Sequence, residues 1–277
     1  MSELVEIQGR RLGKTEASAP HAMLRDFVDM ERYEATTVIP ANVVNSLDAN
    51  GQPVVLAMYG NDKQGDCTIA GIGNILRVDS LDALEITDGD VEAAYVAVTG
   101  QEGAAYDPAT GANDNGCNEV DVLDFWTGSG VGGNRLLGHA GVDYSSDREI
   151  RMALHLCGPL YPGWQLSTDQ QTQPIWQPGR ARPGSWGGHC APIADYYTAI
   201  PAGLVVGGTP IPSGVYRRIL SLMTWGGYRP CDGNYVNFAC DELHALMTDA
   251  WLARNEANPA INVSALKTYF GTLTAER

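Results

Sequence analysis

YGNDKQGDCTIAG, residues 59–71, places a cysteine directly after Gly-Asp and directly before a small, apolar run. The run continues as CTIAGIGNILRVDSL, with apolar residues at 69, 72, 75, 76 and 78 on a mostly helical repeat, so a helix is expected to begin at Cys67. Gly65 or Asp66 stands where a cap belongs. A cysteine in the first helical turn feels the positive end of the macrodipole, which favours the thiolate. Asp66 works against this, because an adjacent negative charge disfavours a second one. Free cysteine is commonly a small buried hydrophobe, so placement alone does not assign chemistry.

Outward from this stretch, TDGDVEAAYVAVTG predicts a second helix at about 88–99, opened by Thr and Asp and stopped at Gly100. CNEVDVLDFWTGSG predicts a third, with Val120, Leu123 and Trp126 on one face, and SSDREIRMALHLCG a fourth, with Ser146 and Glu149 spaced as a capping box. The texture then changes. GPLYPGWQL, HCAPIADYYTAI, GLVVGG and VYRRILSLMTWGGY are β-branched and aromatic runs between Pro/Gly turns, the pattern of an antiparallel sheet. CDELHALMTDAWLARN returns to helical spacing. Helices first and strands later predict an α+β fold with a helical lobe and a sheet lobe.

Residues 1–58 show no sustained period and read as an extended arm carrying at most one short helix. Residues 59–277 read as one domain: a helical part at about 59–157, a sheet part at about 158–240 and C-terminal helices at about 240–277. A 20-residue loop, STDQQTQPIWQPGRARPGSW, interrupts the strands, and loops of that length are usually functional or mobile.

Acidic residues outnumber basic ones 33 to 18 among 277, a net charge of −15, which has the wrong sign for nucleic acid as a partner. No apolar window is long enough to predict a membrane span. The N-terminus has no apolar signal core, so cytoplasmic synthesis without a signal peptide is expected. Six cysteines without a CxxC or regular spacing argue against a disulfide framework or zinc ribbon, and no metal or cofactor is expected. GSGVGG at 128–133 ends a predicted helix instead of following a strand, unlike a dinucleotide loop. GANDNG at 111–116 lacks the carboxylate a calcium loop needs at its twelfth position and reads as a turn. Cys190 beside His189 has no second pair to complete a metal site.

A reactive thiol needs a base. Of the five histidines, His189 stands out at the start of a predicted strand after flexible glycines, whereas His155 and His244 lie on predicted helix faces. Asn61, six residues before Cys67, offers an amide that with the Cys67 N–H supplies two donors for an oxyanion.

Donor, Gly, Cys at a helix start, then Gly-His on a strand, then Trp-Gly on a later one resembles the papain-like cysteine peptidase superfamily. Within it, GND-x-x-GDCT, LDFW-x-x-x-G-x-x-G, SWGGH and TWG resemble a group of proteins from phages and actinobacteria, over about residues 50–245. The resemblance implies a papain-like fold, Cys67 as nucleophile, His189 as general base and acid, and Asn61 at the oxyanion position, where glutamine is usual. The family's His-orienting Asn falls at Met223, which cannot accept the imidazole hydrogen bond. Thr224, or Asp195, Asp232 or Asn234, would then orient His189. Trp164 and Trp176 read as core, and Trp186 and Trp225 as walls of a substrate groove.

Two readings follow. The first is a thiol-dependent hydrolase, peptidase or amidase, acting on a peptide or amide substrate by acyl transfer. The second keeps the fold and drops the chemistry: an inactive scaffold serving as a virion structural or interaction protein, its arm suited to wrapping other virion proteins. Composition is compatible with a monomer or an assembly.

Overall fold

In the computed structural model, which describes residues 10–275, the helix expected at Cys67 spans Cys67–Asp79 and is buried on almost every side. The first nine residues of the expected arm and the last two of the chain lie outside the described residues. The helices are α1 (Met30–Thr36), α2 (Cys67–Asp79), α3 (Asp88–Gln101), α4 (Glu119–Gly128), α5 (Asp147–Cys157), α6 (Gly233–Ala239), α7 (Asp249–Asn255) and α8 (Val263–Ala275).

Local capping sets most helix starts. Thr87 and Asp90 form a reciprocal box on α3, and Asn118 accepts from the Val120 and Asp121 N–H groups on α4. Ser146 accepts from the Glu149 N–H on α5, but Glu149 turns back to the Asp143 N–H, so the box expected there is half formed. Asp66 holds the N-cap position of α2 without capping it.

The strands are β1 (Asn42–Val44), β2 (Gly138–Gly141), β3 (Tyr161–Leu166), β4 (Gly187–Cys190), β5 (Ile193–Tyr197), β6 (Val205–Val206), β7 (Thr209–Pro210), β8 (Ile219–Thr224), β9 (Gly227–Asp232) and β10 (Cys240–Met247). They form two four-stranded antiparallel sheets, in the orders β1-β5-β8-β9 and β2-β10-β3-β4, and a small β6-β7 ladder. The chain changes sheet at Ala191–Pro192, where Leu160 and Ile193 exchange backbone bonds of 3.0 and 2.9 Å.

The helix expected from residue 240 does not form there. CDELHALM is not helical but is strand β10, paired on both sides by β2 and β3. Leu243, Ala245 and Met247 enter one core and Leu246 the other, so both faces are buried. A strand apolar on both faces loses the alternation that marks it, and only its neighbours decide the outcome. Helix resumes at Asp249, where Thr248 accepts from the Trp251 N–H.

The larger core lies between α5, α7, α8 and the sheets, and the smaller one surrounds α2, α3 and α4. Residues 10–58 are stitched into both: Leu12, Leu24, Val28, Tyr33 and Val43 are buried in the first, Val54 and Leu56 in the second, and β1 pairs with β5. Tyr33 accounts for His155, its hydroxyl 2.9 Å from Nδ1. The long loop is tied down as well, because Trp176 exchanges backbone bonds with Pro230 and Asp232 and is fully buried. Among the described residues, no helix is long and apolar enough to cross a membrane.

Trp164 of β3 stands opposite His189 of β4, stacks on Tyr235 at 5.8 Å and donates its indole N–H to the Ala191 carbonyl at 3.0 Å. Trp164→Ala is expected to cost about 3–5 kcal/mol in urea unfolding with an unchanged m-value. A loss below about 1 kcal/mol would contradict the packing described.

Candidate active site

The turn that delivers Cys67 is held from two sides. Tyr59 and Gly60 adopt φ of 53° and 87°, and the Gly60 carbonyl accepts from Lys63 and Gln64 to close the turn. The Gly65 N–H donates to Asp114 Oδ1 at 2.7 Å, and that same oxygen accepts from the Tyr95 hydroxyl at 2.6 Å. GANDNG is thus a turn whose Asp114 carboxylate anchors the loop leading to Cys67. Nothing in its spacing pointed to Cys67. Asp66 is wholly buried and accepts from Gln64 Nε2 at 2.7 Å; burial pushes its carboxyl well up, which weakens the opposition to a thiolate expected from the sequence.

His189 lies on β4, fully buried. Its Nε2 is 2.7 Å from Thr224 Oγ1, and its Nδ1 makes no hydrogen bond. Trp225 stacks on the ring at 4.4 Å between centroids and 17° between planes. Trp225 and Gly226 form the two-residue tip of the β8-β9 hairpin, with φ of 47° and 69°, the signs a type I′ turn requires. A tryptophan is an uncommon tenant of that position.

Of the four candidates for orienting His189, only Thr224 reaches it. Asp195 instead accepts from the Asn45 and Ser46 N–H groups at 2.9 Å, and Asp232 caps α6 and holds Asn234. Met223 packs with Cys67 in the smaller core. Trp225 is half-buried, but Trp186 is buried, 5.8 Å from Trp225, and walls no open groove. The Cys190 N–H donates to Cys67 Sγ at 3.4 Å, so β4 closes directly onto the start of α2.

The chain's own N-terminal segment covers this junction. The Arg11 N–H donates to the Asn61 carbonyl at 3.1 Å, the Lys14 N–H to Gly188 at 3.2 Å, and Thr15 and Gly13 pair with Cys117. A Cβ on Gly13 would fall 1.6 Å from the Gly65 carbonyl oxygen, so only glycine passes there. The Arg11 carbonyl faces Asn61 Nδ2 at 3.5 Å and Trp225 Nε1 at 3.4 Å. Arg10 lies over the Trp225 ring at 4.9 Å. What remains beside Cys67 is a cavity of about 10 Å³, room for one water.

Lys14 locks the segment down. Its side chain is fully buried, with Nζ 3.1 Å from Asp241, 2.9 Å from Glu242 and 3.2 Å from the Thr15 carbonyl. Gly163 of β3 makes room for the stem; a Cβ there would fall 2.1 Å from Lys14 Cε. Burial alone would lower the ammonium pKa, but Glu119, Glu242 and Asp241 outweigh it and raise it. Glu119 is pushed well up by burial, with the charge of Glu242 adding. Sequence reading missed Lys14, Glu119 and Glu242, since each is an ordinary charge in its own stretch.

Cys67 and His189 are each held uncharged by burial. Burial, with Asp66 and Glu119 adding, pushes the Cys67 thiol up to about 12, against backbone donors at Cys190 and Gly13. Burial, aided by the charge of Arg10, lowers His189 to about 3. All six cysteines are free and buried.

No protein-family model matches the sequence, and no curated protein matches it. Solved structures do. Xylellain, a cysteine protease from Xylella fastidiosa, is similar with a TM-score of 0.59 at 12% identity, over 90% of this chain and 98% of that one. ProCathepsin B S9 from Trypanosoma congolense gives 0.50 at 12% identity, over 86% and 87% of the two chains. Digestive procathepsin L 3 of Tenebrio molitor larval midgut gives 0.50 at 12% identity, over 77% and 71%. The fold is therefore papain-like and α+β.

A histidine buried neutral fixes the sign of an acid effect. Its contribution is fully present above the unfolded value of roughly 6.5 and is lost as pH falls toward about 3. Urea unfolding of the native chain is expected to weaken more steeply than that of His189→Gln from about pH 6.5 down to about pH 4. His139, lowered by burial to about 4, and the raised Asp66 and Glu119 are common to both proteins and cancel in the comparison. Parallel profiles would contradict the buried, neutral His189.

Proposed function

We propose that this chain is a thiol-dependent hydrolase, a peptidase or amidase, held latent by its own N-terminal segment. What carries the reading is the junction itself: a cysteine at a helix start closed against a strand whose histidine is oriented by Thr224 on one nitrogen and free on the other. With the segment displaced, Cys67 regains solvent and the helix dipole, and its proton passes to His189 Nδ1. The thiolate attacks the carbonyl carbon of a peptide or amide, and the developing oxyanion takes the Asn61 amide and the Cys67 N–H. Imidazolium then gives its proton to the leaving amine. Water, deprotonated by His189, hydrolyses the thioester and restores the thiol.

Thr224 substitutes for the asparagine missing at Met223, holding the imidazole by a hydroxyl instead of an amide. The Arg11 carbonyl, lodged between Asn61 and Trp225, marks where a carbonyl oxygen is received. A second reading, a retired scaffold acting as a structural or interaction protein, virion-borne if the narrower motif resemblance holds, is favoured by the complete burial of Cys67 and His189.

Gly13→Ala separates the two readings in the full-length chain, because its methyl cannot pass the Gly65 carbonyl and must unseat the segment. With iodoacetamide at neutral pH, Cys67 of the native chain should label as slowly as the other buried thiols. In Gly13→Ala it should label roughly tenfold faster or more, and adding His189→Ala should remove most of that gain. Uniformly slow labelling in a Gly13→Ala chain whose residues 10–15 have become protease-sensitive would favour the scaffold.

A further inference from the structure

At α4, β2 and the N-terminal segment, three side chains from distant parts of the sequence converge. Asp124 of α4 has Oδ1 3.1 Å from Nε2 of His139 and 3.2 Å from Nε2 of His21; its Oδ2 is 3.1 Å from the same His21 nitrogen. The three donor atoms lie within 4.8 Å of one another. His139, on β2, is fully buried, whereas His21 comes from the N-terminal segment and is 38% exposed. Nδ1 of His139 makes no hydrogen bond, and the Asp124 carboxylate beside Nε2 draws the ring proton there, so a metal ion would bind by displacing that proton to Nδ1.

Zinc–nitrogen and zinc–oxygen bonds of about 2.0–2.1 Å place neighbouring ligand atoms roughly 3.3 Å apart; each imidazole Nε2 lies 3.1 Å from an Asp124 oxygen, and the two nitrogens lie within 4.8 Å of each other. Two imidazoles and one carboxylate suit borderline divalent ions over calcium or magnesium, which prefer all-oxygen sets. The cluster borders a cavity of about 760 Å³ that is also lined by Asp121 and Arg135, so a fourth ligand has access. The nearby trio Glu119, Glu242 and His244 also brings three donors within 4.8 Å, but its cation is already present as the Lys14 ammonium, 2.9 Å from Glu242.

We propose that His21, Asp124 and His139 bind one divalent transition-metal ion of the zinc class, with a water or small anion from the cavity completing its coordination. The ion ties the N-terminal segment at His21 to the body of the fold at α4 and β2. Three protein ligands with one open position make the site exchangeable, unlike a closed four-ligand structural site. The proposal is independent of any activity at Cys67. Sequence spacing hid it, because the three ligands never come within 14 residues of one another along the chain; the nearest pair, Asp124 and His139, is 15 apart.

The test uses the full-length chain, stripped with a chelator and titrated with Co²⁺ and then Zn²⁺. One equivalent of Co²⁺ should give the d–d absorption of a four- or five-coordinate ion without a thiolate charge-transfer band, and Zn²⁺ should displace it. His21→Ala and Asp124→Asn should each weaken binding at least as much as the roughly 10- to 100-fold that loss of an outer-shell partner costs. His21 is partly exposed, so His21→Ala should keep the metal-free melting temperature, which separates lost ligation from lost folding. Absence of saturable binding, a thiolate band, or unchanged affinity in His21→Ala would each overturn the proposal, leaving a hydrogen-bonded His-Asp-His cluster.

Discussion

A lysine ammonium with no exposed side-chain surface governs how this molecule is assembled. Buried alone it would be prohibitively costly, and it is tolerable only because Asp241 and Glu242 meet it and the Thr15 carbonyl fills the third donor direction. Those acids sit on β10, the central strand of one sheet, and Glu119 opens α4 on the helical side. Lys14 can reach Asp241 and Glu242 only if the segment carrying it threads between the lobes. The same threading puts Gly13 over Gly65 and the Lys14 backbone on Gly188. Burial of Cys67 and His189 is therefore a consequence of where one charge finds its partners.

The parts legible in the sequence are those decided within a few residues. Thr87 and Ser146 announced their helices because capping is a local bond between a side chain and N–H groups two or three positions on. Cys67 at a helix start and His189 on a strand after glycines were readable for the same reason. What was not readable is long-range. Lys14 and Asp241 lie 227 residues apart, and Asp114 reaches Gly65 across 49. β10 was misread because burial on both faces erased its period. The narrowing of four candidate partners for His189 to Thr224 required knowing that the β8-β9 hairpin turns directly after it.

That hairpin positions the His189 ring. Methionine at 223 points into the smaller core with Cys67, so the strand offers no polar group there. Its next residue, Thr224, supplies the hydroxyl, and the next, Trp225, accepts a left-handed backbone to lay its indole flat on the imidazole. Orientation comes from one hydrogen bond and one stacked face, with Trp186 and Trp176 packed behind the indole. The ring is held by shape as much as by polarity.

The segment across the junction pairs on both edges, with Gly188 on one side and Cys117 on the other. Because it is tethered to the body it covers, its local concentration is of millimolar order, and a free peptide offering the same contacts competes at a disadvantage of that size. Ordinary ligand concentrations therefore leave the cover in place. Under the proposed function, the covalent continuity of the chain between Thr15 and the body is what sets that advantage, and a single cut in that stretch forfeits it.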